Sequence, residues 1–176
     1  MKVSVKASVV KVTDGLSDAA TMTTIGNAVV AFIRGRTGKG RSALGDGFAP
    51  YSTAPIYISR HTGTGRRLVP KGGRRTKSGK SVFYEGGYAQ YRQLSTGSGV
   101  INLTLSGQLM RAIRVSQVTA SRAVVDIAPG AAYGAAVNDK RRFMGIAPDE
   151  TKKLGRVAKA AIKAYIKRQQ DKEGKS

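Results

Sequence analysis

The sequence predicts an α+β chain: a small antiparallel β-sheet flanked by an N-terminal and a C-terminal amphipathic helix, with a long Gly/basic-rich irregular arm. Three observations predict it. Residues 148–167 repeat apolar side chains at helical spacing, residues 114–127 alternate as two short strands, and residues 35–99 carry glycines and cations in place of either pattern. A length of 176 residues is most economically one domain spanning 1–176. Residues 35–99 then form an extended arm or insertion, and residues 169–176 a flexible tail.

At the N-terminus Val3, Val5, Ala7 and Val9 alternate with Lys2, Ser4, Lys6 and Ser8, the period of a half-buried strand; Val10 and Val12 break it. From Ser17 to Arg34, Met22, Ile25, Val29, Phe32 and Ile33 recur at steps of a helical face. Ser17 is placed to cap that helix and Gly35 to end it. In the arm, Tyr57 and Ile58 suit a short strand, as do Ser81 to Tyr84. Gly86 to Leu94 suits a turn or two of helix.

Regularity returns at Asn102. Leu105, Leu109, Ala112 and Ile113 form a helical stripe, after which Arg114–Thr119 and Arg122–Ile127 read as a β-hairpin around Ala120 and Ser121. A tight helical turn around Tyr133 and a third strand over Arg141–Ile146 follow. The last helix is the clearest: Pro148 suits the first helical position, and Asp149 and Glu150 the positive first turn. Leu154, Val157, Ala158, Ala161, Ile162, Tyr165 and Ile166 share its apolar face. The expected core is Val3, Val5, Met22, Ile25, Val29, Phe32, Leu105, Leu109, Ile113, Val115, Val124, Ile127, Phe143, Leu154, Val157, Ile162 and Tyr165.

Composition removes several function classes. No cysteine means no disulfide scaffold and no thiolate ligand or nucleophile. No run approaches the roughly 18 apolar residues of a membrane span, and the alternating N-terminus does not read as a signal peptide. His61, the single histidine, has no acid beside it to orient it as a base and no co-ligands for a metal. Arg74 to Ser81 resembles a phosphate loop superficially, but the glycine required six residues before its lysine is Arg74. The ten carboxylates are scattered, so no catalytic residue, metal ligand or cofactor is expected.

Charge is the strongest feature. Of a formal +21, the stretch Arg34–Lys80 supplies +11, from twelve Lys/Arg against Asp46. Such a segment needs a polyanion, an acidic neighbour or open solvent. The candidate contacts are Arg34, Arg36, Lys39, Arg41, Arg66, Arg67, Lys71, Arg74, Arg75, Lys77 and Lys80. Seven of the eleven aromatics accompany them: Phe48, Tyr51, Tyr57, Phe83, Tyr84, Tyr88 and Tyr91. Interleaved rings and cations are what single-strand binders use, while rings that anchor the segment in its own core or in a subunit interface, with the cations meeting solvent or acidic neighbours, explain the same pattern. No sequence-reading motif is present, so phosphate attraction without base readout is expected.

The order of segments resembles the tail-completion, or virion-morphogenesis, proteins of the head–tail neck of tailed bacteriophages. The resemblance is carried by Gly47 to Ser52, Gly87 to Arg92, Asn102 to Arg111, Tyr133 to Asn138, and Arg141 to Ile146 followed by Asp149 and Glu150. It covers roughly residues 17–167. Arg142 stands where that family commonly has proline, and Gly134 separates Tyr133 from Ala135. The resemblance implies a non-enzymatic virion subunit, made in the host cytoplasm, that closes into a homo-oligomeric ring at the neck or upper tail. It favours a hexamer, with neighbouring neck, tail-terminator or connector proteins as partners and no membrane. The basic cluster would then face packaged double-stranded DNA or acidic partner rings, and the arm aromatics would lie between subunits. The alternative is a non-specific nucleic-acid-binding protein of ribosomal or nucleoid type.

Overall fold

In chain order the elements are β1 (Val9–Lys11), α1 (Ala19–Gly38), β2 (Ile56–Ser59), β3 (Arg74–Arg75), β4 (Ser81–Tyr84), α2 (Gly87–Thr96), α3 (Gln108–Ala112), β5 (Ile113–Val118), β6 (Arg122–Ile127), a 3₁₀ turn (Pro129–Ala131), α4 (Gly134–Arg141) and α5 (Pro148–Glu173). This is a computed structural model, and it describes residues 9–59 and 72–174. The expected strand residues 2–8, Val3 and Val5 included, lie outside the described residues. The chain divides into two compact units, Ala49–Ile101 and the remainder.

The larger unit is a three-stranded antiparallel sheet, ordered β1-β6-β5, covered by α1, which also packs against α5. Helix α1 begins where Asp18, not Ser17, accepts the Thr21 N–H at 2.7 Å. Ser17 is turned instead onto the Ala120 carbonyl. The helix runs through Gly35 to Gly38, because nothing forces a left-handed residue earlier. Met22, Ile25, Val29, Val30 and Ile33 are buried on its inner face. Each contributes about 1.5–3 kcal/mol of apolar burial. Gly26 brings the helix close to the sheet: a Cβ there would lie 2.9 Å from a Val115 methyl.

The β5–β6 hairpin forms as expected, with a bulge between Val115 and Gln117. The extra residue, Ser116, shifts the alternation so that Val118, opposite Ala123, joins Val115 against Met22 and Ile25. Strand β1 corrects the sequence-based orientation. Val9 pairs with Val124 and is exposed, whereas Val10 pairs with the buried Ala123. Val10 and Val12 therefore turn inward and Val9 outward. Leu105 precedes α3, which has only five residues because Ile113 already opens β5.

The expected strand over Arg141–Ile146 does not form. Arg141 ends α4, Arg142 turns left-handed at φ 39°, and Phe143 and Met144 are both buried in succession, which no alternating strand permits. Asn138 secures this turn: its side-chain oxygen accepts the Met144 N–H at 2.8 Å and its carbonyl the Arg142 N–H at 2.6 Å. Proline could supply neither that N–H nor that φ, which excludes it at this position.

Helix α5 starts at Pro148 with Asp149 and Glu150 in its first turn, as read from the sequence. It continues to Glu173, so residues 169–173 are helical and not a frayed tail. Leu154, Ala158 and Ala161 pack toward Met22 and Ile25.

The smaller unit corrects the irregular arm. Its sheet has the order β2-β4-β3, with Val82 and Tyr84 buried on the inner face. Tyr91 of α2 meets Tyr84 edge-on at 5.4 Å. Gly87, at φ 64°, lets α2 start beneath the crossing chain, since a Cβ would lie 2.4 Å from the Ala54 carbonyl oxygen. Gly73 serves β3 likewise: a Cβ would lie 2.8 Å from the Phe83 carbonyl oxygen.

Candidate functional site

The basic stretch is divided by the fold. Arg34, Arg36, Lys39 and Arg41 belong to the larger unit, and Arg74, Arg75, Lys77 and Lys80 to the smaller. Arg66, Arg67 and Lys71, with His61, lie outside the described residues.

Arg36 is not available to DNA or to a partner. Its guanidinium is buried, donates to the Glu150 carboxylate, and also donates to the carbonyls of Phe143 at 2.7 Å and Gly145 at 3.0 Å. Burial pulls its pKa below the usual arginine value, opposed by the adjacent Glu150 carboxylate. The same Glu150 oxygen accepts the Ala147 N–H at 2.9 Å, one of the donors left over at the start of α5. Glu150 is thus a structural acceptor as well as a complement to the helix dipole. Together they join the end of α1 to the 143–147 segment and the start of α5.

Arg34 keeps its side chain at the surface while donating to the Ile113 carbonyl at 2.7 Å. Arg41 donates to Gly45 at 3.1 Å within its own loop. A cleft of about 240 Å³ lies beside Arg41, lined also by Lys39, Lys153 and Asp149 among others. Its charge is mixed. Among the described residues no three His, Cys, Asp or Glu side chains converge as a metal site would require.

In the smaller unit the phosphate-loop resemblance disappears into a β-hairpin. Thr76 closes it, exchanging hydrogen bonds with Ser81, and Gly79 donates to the Thr76 carbonyl at 2.9 Å. No helix opens after this turn, so nothing there resembles a nucleotide cradle. Arg74, Arg75, Lys77 and Lys80 are exposed on the strand and turn of that hairpin.

The aromatics proposed for a subunit interface separate by burial. Tyr84 and Tyr91 are core residues of the smaller unit, and Phe48 is buried in the larger one, so none of these three is free to reach a neighbour. Burial also raises the Tyr84 phenol pKa. Tyr51 and Tyr88 pack edge to face at 5.2 Å, with Arg92 over Tyr51 at 5.3 Å. Tyr57 alone among the seven is exposed, at 67%, with Phe83 beside it, ring centroids 4.9 Å apart.

A second exposed apolar feature lies on α5. Gly155, Ala158, Ile162 and Ile166 line a shallow groove flanked by Lys159, Lys163 and Lys167. Ile166 remains 40% exposed. No helix among the described residues is long and apolar enough to cross a membrane. Comparison with protein-family models, with characterised proteins and with solved structures finds no match to this chain.

Proposed function

We propose that this chain is a structural, non-enzymatic virion protein of a tailed phage, one subunit of a homo-oligomeric ring at the head–tail neck or upper tail. One observation supports this reading: three of the segments behind the phage resemblance, Asn102–Arg111, Tyr133–Asn138 and Arg141–Ile146, pack together with Glu150 in the larger unit. Gly134 lies against Leu109 and Ile127, where a Cβ would come within 2.7 Å of a Leu109 methyl. Asn138 holds Met144, and Glu150 holds Arg36. These C-terminal segments, though separated along the chain, thus act as one packed body within the larger unit.

The α5 groove supports assembly. A helix that leaves Ile166 exposed and Ile162 half-buried along an open groove, bordered by Lys159, Lys163, Lys167, Gln170 and Asp171, suits a contact with a second copy in a closed ring. Ring closure uses such a face once per subunit and leaves no open end.

Light scattering on the purified chain and negative-stain electron microscopy test the proposal. The expected result is a closed ring, and Ile166→Glu should return subunits to monomers with unchanged helix content. A wild-type chain that stays monomeric at high protein concentration, alone and with phage neck components, would overturn it.

A further inference from the structure

We infer that the outer face of the β2-β4-β3 sheet is a stacking platform for single-stranded nucleic acid, with Tyr57 as the ring that receives a base. Register places three side chains abreast on this face. Tyr57 pairs with Phe83, and Phe83 pairs with Arg74. Directly opposed residues of antiparallel strands project to the same side. The Tyr57 and Phe83 centroids are 4.9 Å apart with planes tilted by 45°, and the Arg74 guanidinium carbon is 5.2 Å from the Phe83 centroid.

This row is organised before any ligand arrives. Phe83 is gripped on one side by a cation and on the other by Tyr57, while the opposite face of β4 buries Val82 and Tyr84. Tyr57 therefore stands on a fixed support with most of its surface in solvent. Burying an exposed ring against a base recovers apolar area at little further cost in side-chain entropy.

Charge selects the occupant. Residues 49–101 contain nine Lys/Arg and a single carboxylate, Glu85, just beyond the end of β4. An apolar protein partner would need a wider apolar patch. Here the aromatic row is bordered by Ser59 and Ser81, which pair with each other, and by the cationic hairpin. Lys77 and Lys80 are exposed in the turn, closed by Thr76, of the same hairpin that carries Arg74 and Phe83. Cations for phosphates beside a ring for bases are the two parts of a single-strand site without sequence preference. A duplex could use the cations but not the ring, because its bases are already stacked.

The test is fluorescence anisotropy of a labelled oligothymidylate of about 15 nucleotides, titrated with the full chain at several salt concentrations from about 50 to 200 mM. Tyr57→Ala should weaken binding by about tenfold, whereas Tyr57→Phe should bind like wild type. The salt slope should be the same for both. Lys77→Gln with Lys80→Gln should make that slope shallower by about 1–2. Tyr57→Trp gives the chain its only tryptophan, and its emission should be quenched as the oligonucleotide binds. Equal affinity of Tyr57→Ala and Tyr57→Phe would overturn the platform, as would an unquenched tryptophan, absent binding, or preference for a duplex of equal length. None of these readouts requires ring assembly, so the platform can stand or fall separately from the virion proposal.

Discussion

Glu150→Ala is the sharpest probe of the larger unit, because one carboxylate serves two buried partners. Its side chain is 8% exposed and that of Arg36 4%. Removing it strands a guanidinium whose remaining contacts in this cluster are the Phe143 and Gly145 carbonyls. Breaking a buried pair in this way costs about 3–5 kcal/mol. Loss of the Ala147 N–H acceptor is worth about 1 kcal/mol by itself. The two losses share an atom and are not independent, so about 4 kcal/mol is the working figure. Against a typical domain stability of about 5–15 kcal/mol that is a large fraction. At about 2–4 °C per kcal/mol for a chain of this size, the melting temperature should fall by roughly 8–16 °C.

Urea titration followed by far-ultraviolet circular dichroism reads the change directly. Glu150→Gln separates the two roles, since the amide oxygen still accepts from Ala147 while the charge is gone. It should cost about 1.5–3 kcal/mol. Asp149→Asn, one residue earlier and exposed, should cost no more than about 1 kcal/mol as a lost dipole partner. Replacing both members, by Arg36→Met with Glu150→Gln, should be milder than Glu150→Ala alone, because no buried charge is left unpaired. Glu150→Ala matching Asp149→Asn within about 1 kcal/mol would refute the clamp.

Three further outcomes are expected. Gly87→Ala should destabilise by at least about 2 kcal/mol, since it combines a left-handed φ with backbone overlap, while Gly97→Ala, with nothing within 4 Å, should cost only about 1 kcal/mol; urea titration compares them. Asp18 has a pKa below its ordinary 3.8, held down by the Thr21 side-chain and backbone hydrogen bonds and, more weakly, by Arg168. A depressed carboxylate stabilises above its unfolded pKa and loses that contribution as pH falls through the folded value. Melting curves of Asp18→Ala should accordingly lie below wild type near neutral pH and converge on it in acid; a constant offset across the range would be the contrary result. In a spectrophotometric titration, Tyr84→Phe should remove a component that ionises above the ordinary tyrosine value, since burial raises it; an unchanged high-pH limb would contradict that assignment.

How much of this was legible follows the physics of each element. Helix α5 announces itself because its period runs unbroken, and the β5–β6 hairpin because two short alternating runs flank Ala120 and Ser121. Helix α1 is equally plain, but its end is not: Gly35 reads as a stop, yet the helix runs through it to Gly38. The 142–147 segment misleads. Phe143 and Met144 read as strand residues, yet their backbone is held by Asn138, Arg36 and the left-handed Arg142. The bulge at Ser116 is legible only afterwards, as the point where the valine alternation of β5 slips by one residue.

The smaller unit shows a different limit. Tyr57, Ile58 and Ser81 to Tyr84 suggested strands, and Gly86 to Leu94 a helix, but ten glycines between residues 34 and 80 argued for an arm. One of those glycines, Gly73, is a requirement of a compact sheet. Gly73 allows β3 to approach β4, as the later Gly87 allows the chain to cross α2. Composition cannot distinguish a glycine that loosens a chain from one that permits close packing.

The sequence by itself determined the α+β class, the basic character and the absence of thiol chemistry, because these depend on residue counts and local period. Only tertiary structure decided which charges reach solvent and which rings are exposed. Arg36 looks like its neighbours along the chain, and its partner Glu150 is 114 residues away. Tyr57 and Tyr84 look alike in the same aromatic series, and strand pairing turns one outward and buries the other. Burial and charge pairing are properties of what folding brings together across long sequence separations, and no local pattern carries that information.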